Sequence, residues 1–130
     1  MATPGSRRRA KDELYDALAS VAKALGSGRR AEIVDLLAQG ERSVEEVATE
    51  IEQSVANTSH HLRTLATSGL LRSRRDGQRV IYRLASDRVA ELWAAMRDVA
   101  TAHVADVGEL AEAYLGARAE VEAVTADELA

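Results

Sequence analysis

Two short helical segments, each opened by a capping serine and separated by only two residues, constrain this chain more than any other feature. Ser43 followed three residues later by Glu46 makes a capping box, in which hydroxyl and carboxylate satisfy the free amides of a helix start. Val44, Val47, Ala48 and Ile51 follow at helical spacing as its buried face. Ser54 caps a second helix with Val55, Thr58, Leu62 and Leu65 turned inward, and Gly69 ends it. Glu52 and Gln53 alone join the two. So short a joint forces a steep crossing, the geometry of a helix-turn-helix whose second helix is presented outward.

The flanking segments complete a fold around this pair. Residues 1–10, with Pro4, Gly5, Arg7, Arg8 and Arg9, read as a disordered basic arm. From Lys11 to Leu25 a helix is expected from Leu14, Leu18, Val21 and Leu25, stopped at Gly26-Ser27-Gly28. A second runs from Arg29 to Ala38 on Ile33, Leu36 and Leu37, before Gln39-Gly40. Downstream, Leu71 to Leu84 reads as a β-hairpin with Asp76-Gly77 as its turn signal. Val80, Tyr82 and Leu84 should pack on the helices while Arg79, Ile81 and Arg83 alternate with them. A hairpin after a helix-turn-helix is a wing.

From a Ser86 cap, one long helix is expected to about Leu115, with an apolar stripe that includes Val89 and Tyr114. Such a stripe needs cover, and the first helix together with the same helices of a second copy supplies it. The expected dimer interface is Leu14, Leu18, Val21, Leu92, Trp93, Met96, Val99, His103, Val107 and Leu110. The fold class is therefore mainly α with a small β-hairpin, a winged helix-turn-helix in the order α-α-α-α-β-β-α, dimeric through its first and last helices. One domain covers residues 11–115, and residues 116–130 form a tail. Thr125 followed by Glu128 reads as a second capping box with almost no chain after it, which predicts a continuation into a further domain.

Charge separates along the 130 residues although the sum is only −4. Residues 1–53 carry 8 basic and 10 acidic side chains, residues 54–84 carry 6 and 1, and residues 85–130 carry 3 and 10. A basic segment between two acidic ones suits a protein that touches phosphate with one surface. The absence of cysteine removes disulfides, thiolate metal sites and cysteine nucleophiles. No Ser/His/acid order, phosphate loop or carboxylate pair supports an enzyme, and no cofactor is implied. Without an apolar run of membrane length or a signal peptide, the chain is expected in the cytoplasm and away from membranes.

From Ala24 to Leu84 the chain resembles the ArsR/SmtB family of repressors. The run Ser59, His61, Leu62 and Leu65, followed by Gly69-Leu70-Leu71 and the Asp76-Gly77 to Tyr82 hairpin, carries the likeness. The resemblance implies a homodimeric, sequence-specific transcriptional regulator that sits on a palindromic operator in double-stranded DNA and leaves it when an inducer binds. The family's two metal sites are not matched. Ser43 and Glu45 stand where cysteines would be needed, Thr101 rather than Asp precedes His103, and Tyr114 occupies the neighbourhood of the second His. No metal is expected, and the inducer is unidentified. Two other readings are a small-molecule inducer held among Trp93, Met96 and Tyr114, and a winged-helix module that binds protein.

The outward side of the second helix then becomes the candidate DNA reader. Asn57 and His60 are assigned to base edges and the Ala56 methyl to a thymine, whereas Ser54 and Arg63 suit phosphates. Ser59 and His61 belong to the family run, with His61 a structural or phosphate-contacting residue. Arg74, Arg75, Gly77 and Arg79 form the wing contact. The tail from Val121 is similar to the junction at which some ArsR-like proteins enter a rhodanese-like domain.

Overall fold

The computed structural model describes residues 4–129, with side chains described through residue 125. Among them the elements run α1 (Pro4–Leu25), α2 (Gly28–Ala38), β1 (Arg42–Ser43), α3 (Val44–Ile51), α4 (Val55–Thr67), β2 (Leu71–Asp76), β3 (Arg79–Leu84), α5 (Asp87–His103) and α6 (Val107–Leu129). They form two compact units, one ending at Trp93 and one beginning at Ala94. The first unit is the winged helix-turn-helix that the serine caps predict.

Those caps are formed as read. The Ser43 hydroxyl accepts the Glu46 N–H at 3.2 Å while Glu46 Oε1 accepts the Ser43 N–H at 3.1 Å, closing the box at the start of α3. Ser54 Oγ accepts the Asn57 N–H at 3.1 Å and starts α4. Between them Glu52 adopts the left-handed conformation, φ 55° and ψ 48°, which turns the chain within two residues. The Gln53 N–H then reaches the Ala48 carbonyl at 3.1 Å, so the turn's backbone stays paired.

The core lies where α2, α3 and α4 meet. Ile33 and Val34 of α2, Val47 of α3, and Leu62 and Leu65 of α4 are fully enclosed, and Ile51 is nearly so. Each such side chain contributes about 1.5–3 kcal/mol of burial, which holds the steep crossing in place. The sheet is antiparallel in the order β1-β3-β2, with Asp76 paired to Arg79 across the two-residue loop Gly77-Gln78.

Several expectations are corrected. Residues 4–10 are helical: α1 starts at Pro4, whose fixed φ suits a first helical position, and an Arg8–Asp12 pair at 2.8 Å bridges one turn. Residues 1–3 of the expected arm lie outside the described residues. Val55 is half exposed rather than inward, because it occupies the first position of α4. Ile81 is buried beside Tyr82, against the alternation expected of the hairpin. The two-residue strand β1 makes β3 the central strand, and both α2 and α3 pack on it.

The single long helix is in fact two. α5 ends at His103, Asp106 takes a left-handed φ of 72°, and its carbonyl accepts the Leu110 N–H at 2.8 Å as α6 begins. Thr125 opens no helix: it lies inside α6, its hydroxyl donating to the Val121 carbonyl at 3.0 Å. The Glu128 side chain lies outside the described residues. Within the second unit, Ala95, Met96, Val99, Ala100 and Val104 line an open apolar hollow of about 350 Å³. No helix among the described residues is long and apolar enough to cross a membrane.

Candidate nucleic-acid interface

Helix α4 presents two surfaces with opposite chemistry. Thr58, Leu62 and Leu65 face the core, while Ser54, Ala56, Asn57, His60 and Arg63 are exposed and Ser59 is half-buried. The Ser54 hydroxyl is already committed to its cap, so any anion at this end would meet backbone amides rather than a free hydroxyl. Asn57 and His60, one turn apart, are the side chains free to reach a base edge.

His61 turns the other way. It is half-buried, and its Nδ1 is enclosed with no hydrogen-bond partner among the described residues. Burial holds its imidazole below the ordinary histidine range, helped by the charges of Arg30, His60 and Arg29. The Arg30 guanidinium itself is anchored on the last carbonyls of α1, at 2.5 Å from Ala24 O. His61 is thereby set apart from the exposed side of α4.

The wing is more basic than its tip alone suggests. Strand register places Arg72 opposite Arg83, Arg74 opposite Ile81 and Asp76 opposite Arg79. Alternation then sets Arg72, Arg74, Arg79 and Arg83 on one face of the hairpin, with Arg75 on the other. Like charges directly opposite each other destabilise a strand pair, so this face carries an electrostatic cost that an anionic partner would offset. Arg72 and Arg83 were not singled out from sequence. Counting outward from the Gly77-Gln78 loop would have found them.

Two wing arginines are not free. Arg74 Nη2 bonds Glu41 Oε1 at 2.5 Å, and Arg79 Nη2 bonds Glu46 Oε1 at 2.7 Å. The Glu41 carboxyl is held below the usual carboxylate range chiefly by the Arg74 hydrogen bond, with Arg83 adding. Glu46 is lowered chiefly by the Ser43 N–H, then by the Ser43 hydroxyl, with smaller help from Arg79 and Arg42. Among the described residues Arg72 and Arg75 have no carboxylate partner, whereas Arg74 and Arg79 do. Gly77, at φ 65°, forms the exposed tip.

The residues expected at a dimer interface are spread over both units. Leu14 and Leu18 are exposed on α1, and Leu92, Val99, His103 and Leu110 are exposed on α5 and α6. Val21, Met96 and Val107 are half-buried. Trp93 is tied down, its Nε1 donating to Asp35 Oδ1 at 2.8 Å, and of Trp93, Met96 and Tyr114 only Met96 lines the apolar hollow. Among the described residues no three His, Asp or Glu side chains are grouped to hold a metal ion.

A capped helix pair with an outward second helix and an arginine-bearing hairpin beside it defines a winged helix-turn-helix domain. The family model for bacterial regulatory proteins of the arsR family matches residues 27–73, from the α2 cap into the wing. The chain is 46% identical over 106 residues to the HTH-type transcriptional regulator Rv0324 of Mycobacterium tuberculosis, a match covering 82% of this chain and 47% of that one. It is 35% identical to the HTH-type transcriptional regulator Rv0081 of the same organism, over 68% of this chain and 78% of that one. The solution structure of the homodimeric winged helix-turn-helix DNA-binding domain Mb0332 from Mycobacterium bovis superposes with a TM-score of 0.69 at 44% identity, covering 80% of this chain and 94% of that one. This chain belongs to the ArsR family of regulatory proteins. It spans about half the length of the relative Rv0324.

Proposed function

We propose that this chain is the DNA-binding and dimerisation part of a sequence-specific transcriptional repressor acting on a palindromic operator. One observation carries the reading: α4 exposes Asn57 and His60 beside a hairpin face bearing four arginines, two of them directly opposed. Asn57 is the base reader, because its amide can donate and accept in the pattern an adenine edge presents. His60 and the Ala56 methyl extend the readout, and Arg63 meets a phosphate. Arg72, Arg75 and Arg83 supply sequence-independent affinity, with Arg74, Arg79 and the Gly77 tip following the backbone. His61 and Ser59 hold the helix at its depth.

The domain organisation proposed is a DNA-binding and dimerisation domain that begins with α1 and reaches to about residue 115 within α6, the rest of α6 forming the tail, working in the cytoplasm where an operator is accessible. A homodimer through α1 and the last helices places two copies of α4 about one helical turn of DNA apart, the spacing a palindrome needs. Of this, the homodimeric state alone is carried over from the Mb0332 domain. A rhodanese-like partner domain rests on the likeness of the tail from Val121, and the mass of the natural protein tests it.

Fluorescence anisotropy with the chain's own upstream region tests the function. Asn57→Ala should narrow the gap between operator and random duplex by about 10-fold, the value of one good base contact. Arg72→Ala with Arg75→Ala should weaken both duplexes alike and flatten their salt dependence. Equal binding of operator and random DNA by the unaltered protein would overturn the reading.

A further inference from the structure

We propose that Glu41 and Glu46 are internal competitors for the wing: their carboxylates occupy Arg74 and Arg79 in the free protein and give way to backbone phosphates of duplex DNA. The inference rests on the DNA-binding reading above and adds an element that sets its affinity. Arg74 on β2 reaches across the central strand to Glu41, just before β1, and Arg79 at the start of β3 reaches Glu46 on α3. Both pairs are about half exposed, the setting in which ion pairs add little to stability. The α3 cap does not need the charge of Glu46, since Gln completes a capping box as well. A phosphodiester carries the same single negative charge as a carboxylate and accepts the same guanidinium donors. The two glutamates therefore sit where a phosphate would sit, on two of the wing's arginines.

The exchange has a signature that simple repulsion lacks. A free arginine that meets a phosphate releases the phosphate's condensed cation, which steepens the salt dependence by about 0.9 per contact. When the arginine must first leave a glutamate, the bared carboxylate takes up a cation, and the two ion movements cancel. Binding through Arg74 and Arg79 is then nearly salt-neutral, whereas binding through Arg72 and Arg75 is not.

The test is anisotropy with a random duplex at several salt concentrations, using the full chain. Glu41→Gln and Glu46→Gln should each tighten binding several-fold at low salt and steepen the log–log slope by about 0.9. Glu45→Gln, which removes the same charge beside Glu46 from a residue with no ion-pair partner among the described residues, should leave the slope nearly unchanged. Unchanged thermal melts of the Gln variants exclude an effect through folding. Weaker binding by the Gln variants would mean that the glutamates position the arginines, and an unchanged slope would mean that they are spectators; either result sinks the proposal alone. If the unaltered protein bound no duplex even at low salt, the DNA reading would fall and this inference with it.

Discussion

Single side chains here do structural work that can be separated by substitution. Ser43 is wholly enclosed, and its hydroxyl is the partner of the Glu46 amide at the start of α3. Ser43→Ala should therefore cost about 2 kcal/mol in urea unfolding, toward the upper end of cap losses because the amide it leaves is sheltered from water. His61 acts through its protonation instead. Its folded-state pKa lies below the unfolded value of about 6.5, burial being the main cause and Arg30 the next. The unfolded chain thus binds the proton more readily. The stability His61 contributes is complete above about pH 6.5 and is lost as pH falls through the window beneath it. Urea unfolding at pH 7.5 and 5.5 should show a larger loss for the natural chain than for His61→Gln. Equal losses would mean that the half-buried ring is not the group responsible.

At the scale of elements, two left-handed positions should answer to substitution with opposite signs. Gly77 at φ 65° has open space where a Cβ would stand, so Gly77→Ala pays only the conformational penalty, about 1 kcal/mol. Glu52 already bears that penalty in the turn between α3 and α4. Glu52→Gly should raise stability by about 0.5 kcal/mol, the relief slightly exceeding the extra entropy lost by glycine. Thermal melts of the two variants shifting in opposite directions would establish the pattern. The caps at Ser43 and Ser54 were legible in sequence because they are local, each settled within four residues. The burial of Ile81 was not, because it depends on β1, a strand of two residues paired 38 positions away in the chain, Ser43 with Ile81. Arg74 and Arg79 were legible as wing residues, but their glutamate partners were not, since both pairs join residues 33 apart that only the register brings together. The break at Asp106 has no glycine or proline at the turn itself to announce it, and the apolar stripe runs through it without interruption.

For the whole molecule, the exposed leucines of α1 raise the question of what covers them. A 22-residue helix is about 33 Å long, yet only Ala24 and Leu25 at its end are buried in the first unit. Leu14 and Leu18, 56% and 61% exposed, fall on the face that the proposed homodimer would close. Their burial would supply a few kcal/mol per subunit. A domain of this size gains much from that, because it encloses a smaller share of its surface than a larger one. Folding linked to association makes the melting temperature depend on concentration, rising by mass action as subunits are added. The natural chain should therefore melt at higher temperature as its concentration is raised from micromolar to about 100 µM, and sediment as a dimer. Leu14→Glu combined with Leu18→Glu should sediment as a monomer, melt independently of concentration, and bind an operator of two half-sites no better than a single half-site. The single-half-site comparison matters most: each α4 keeps its own surface in the variant, so only the coupling between two copies is removed. A variant that still prefers the two-half-site duplex by 10-fold or more, a gap of about 1.4 kcal/mol, would show that α1 does not join the subunits and that the dimer closes elsewhere.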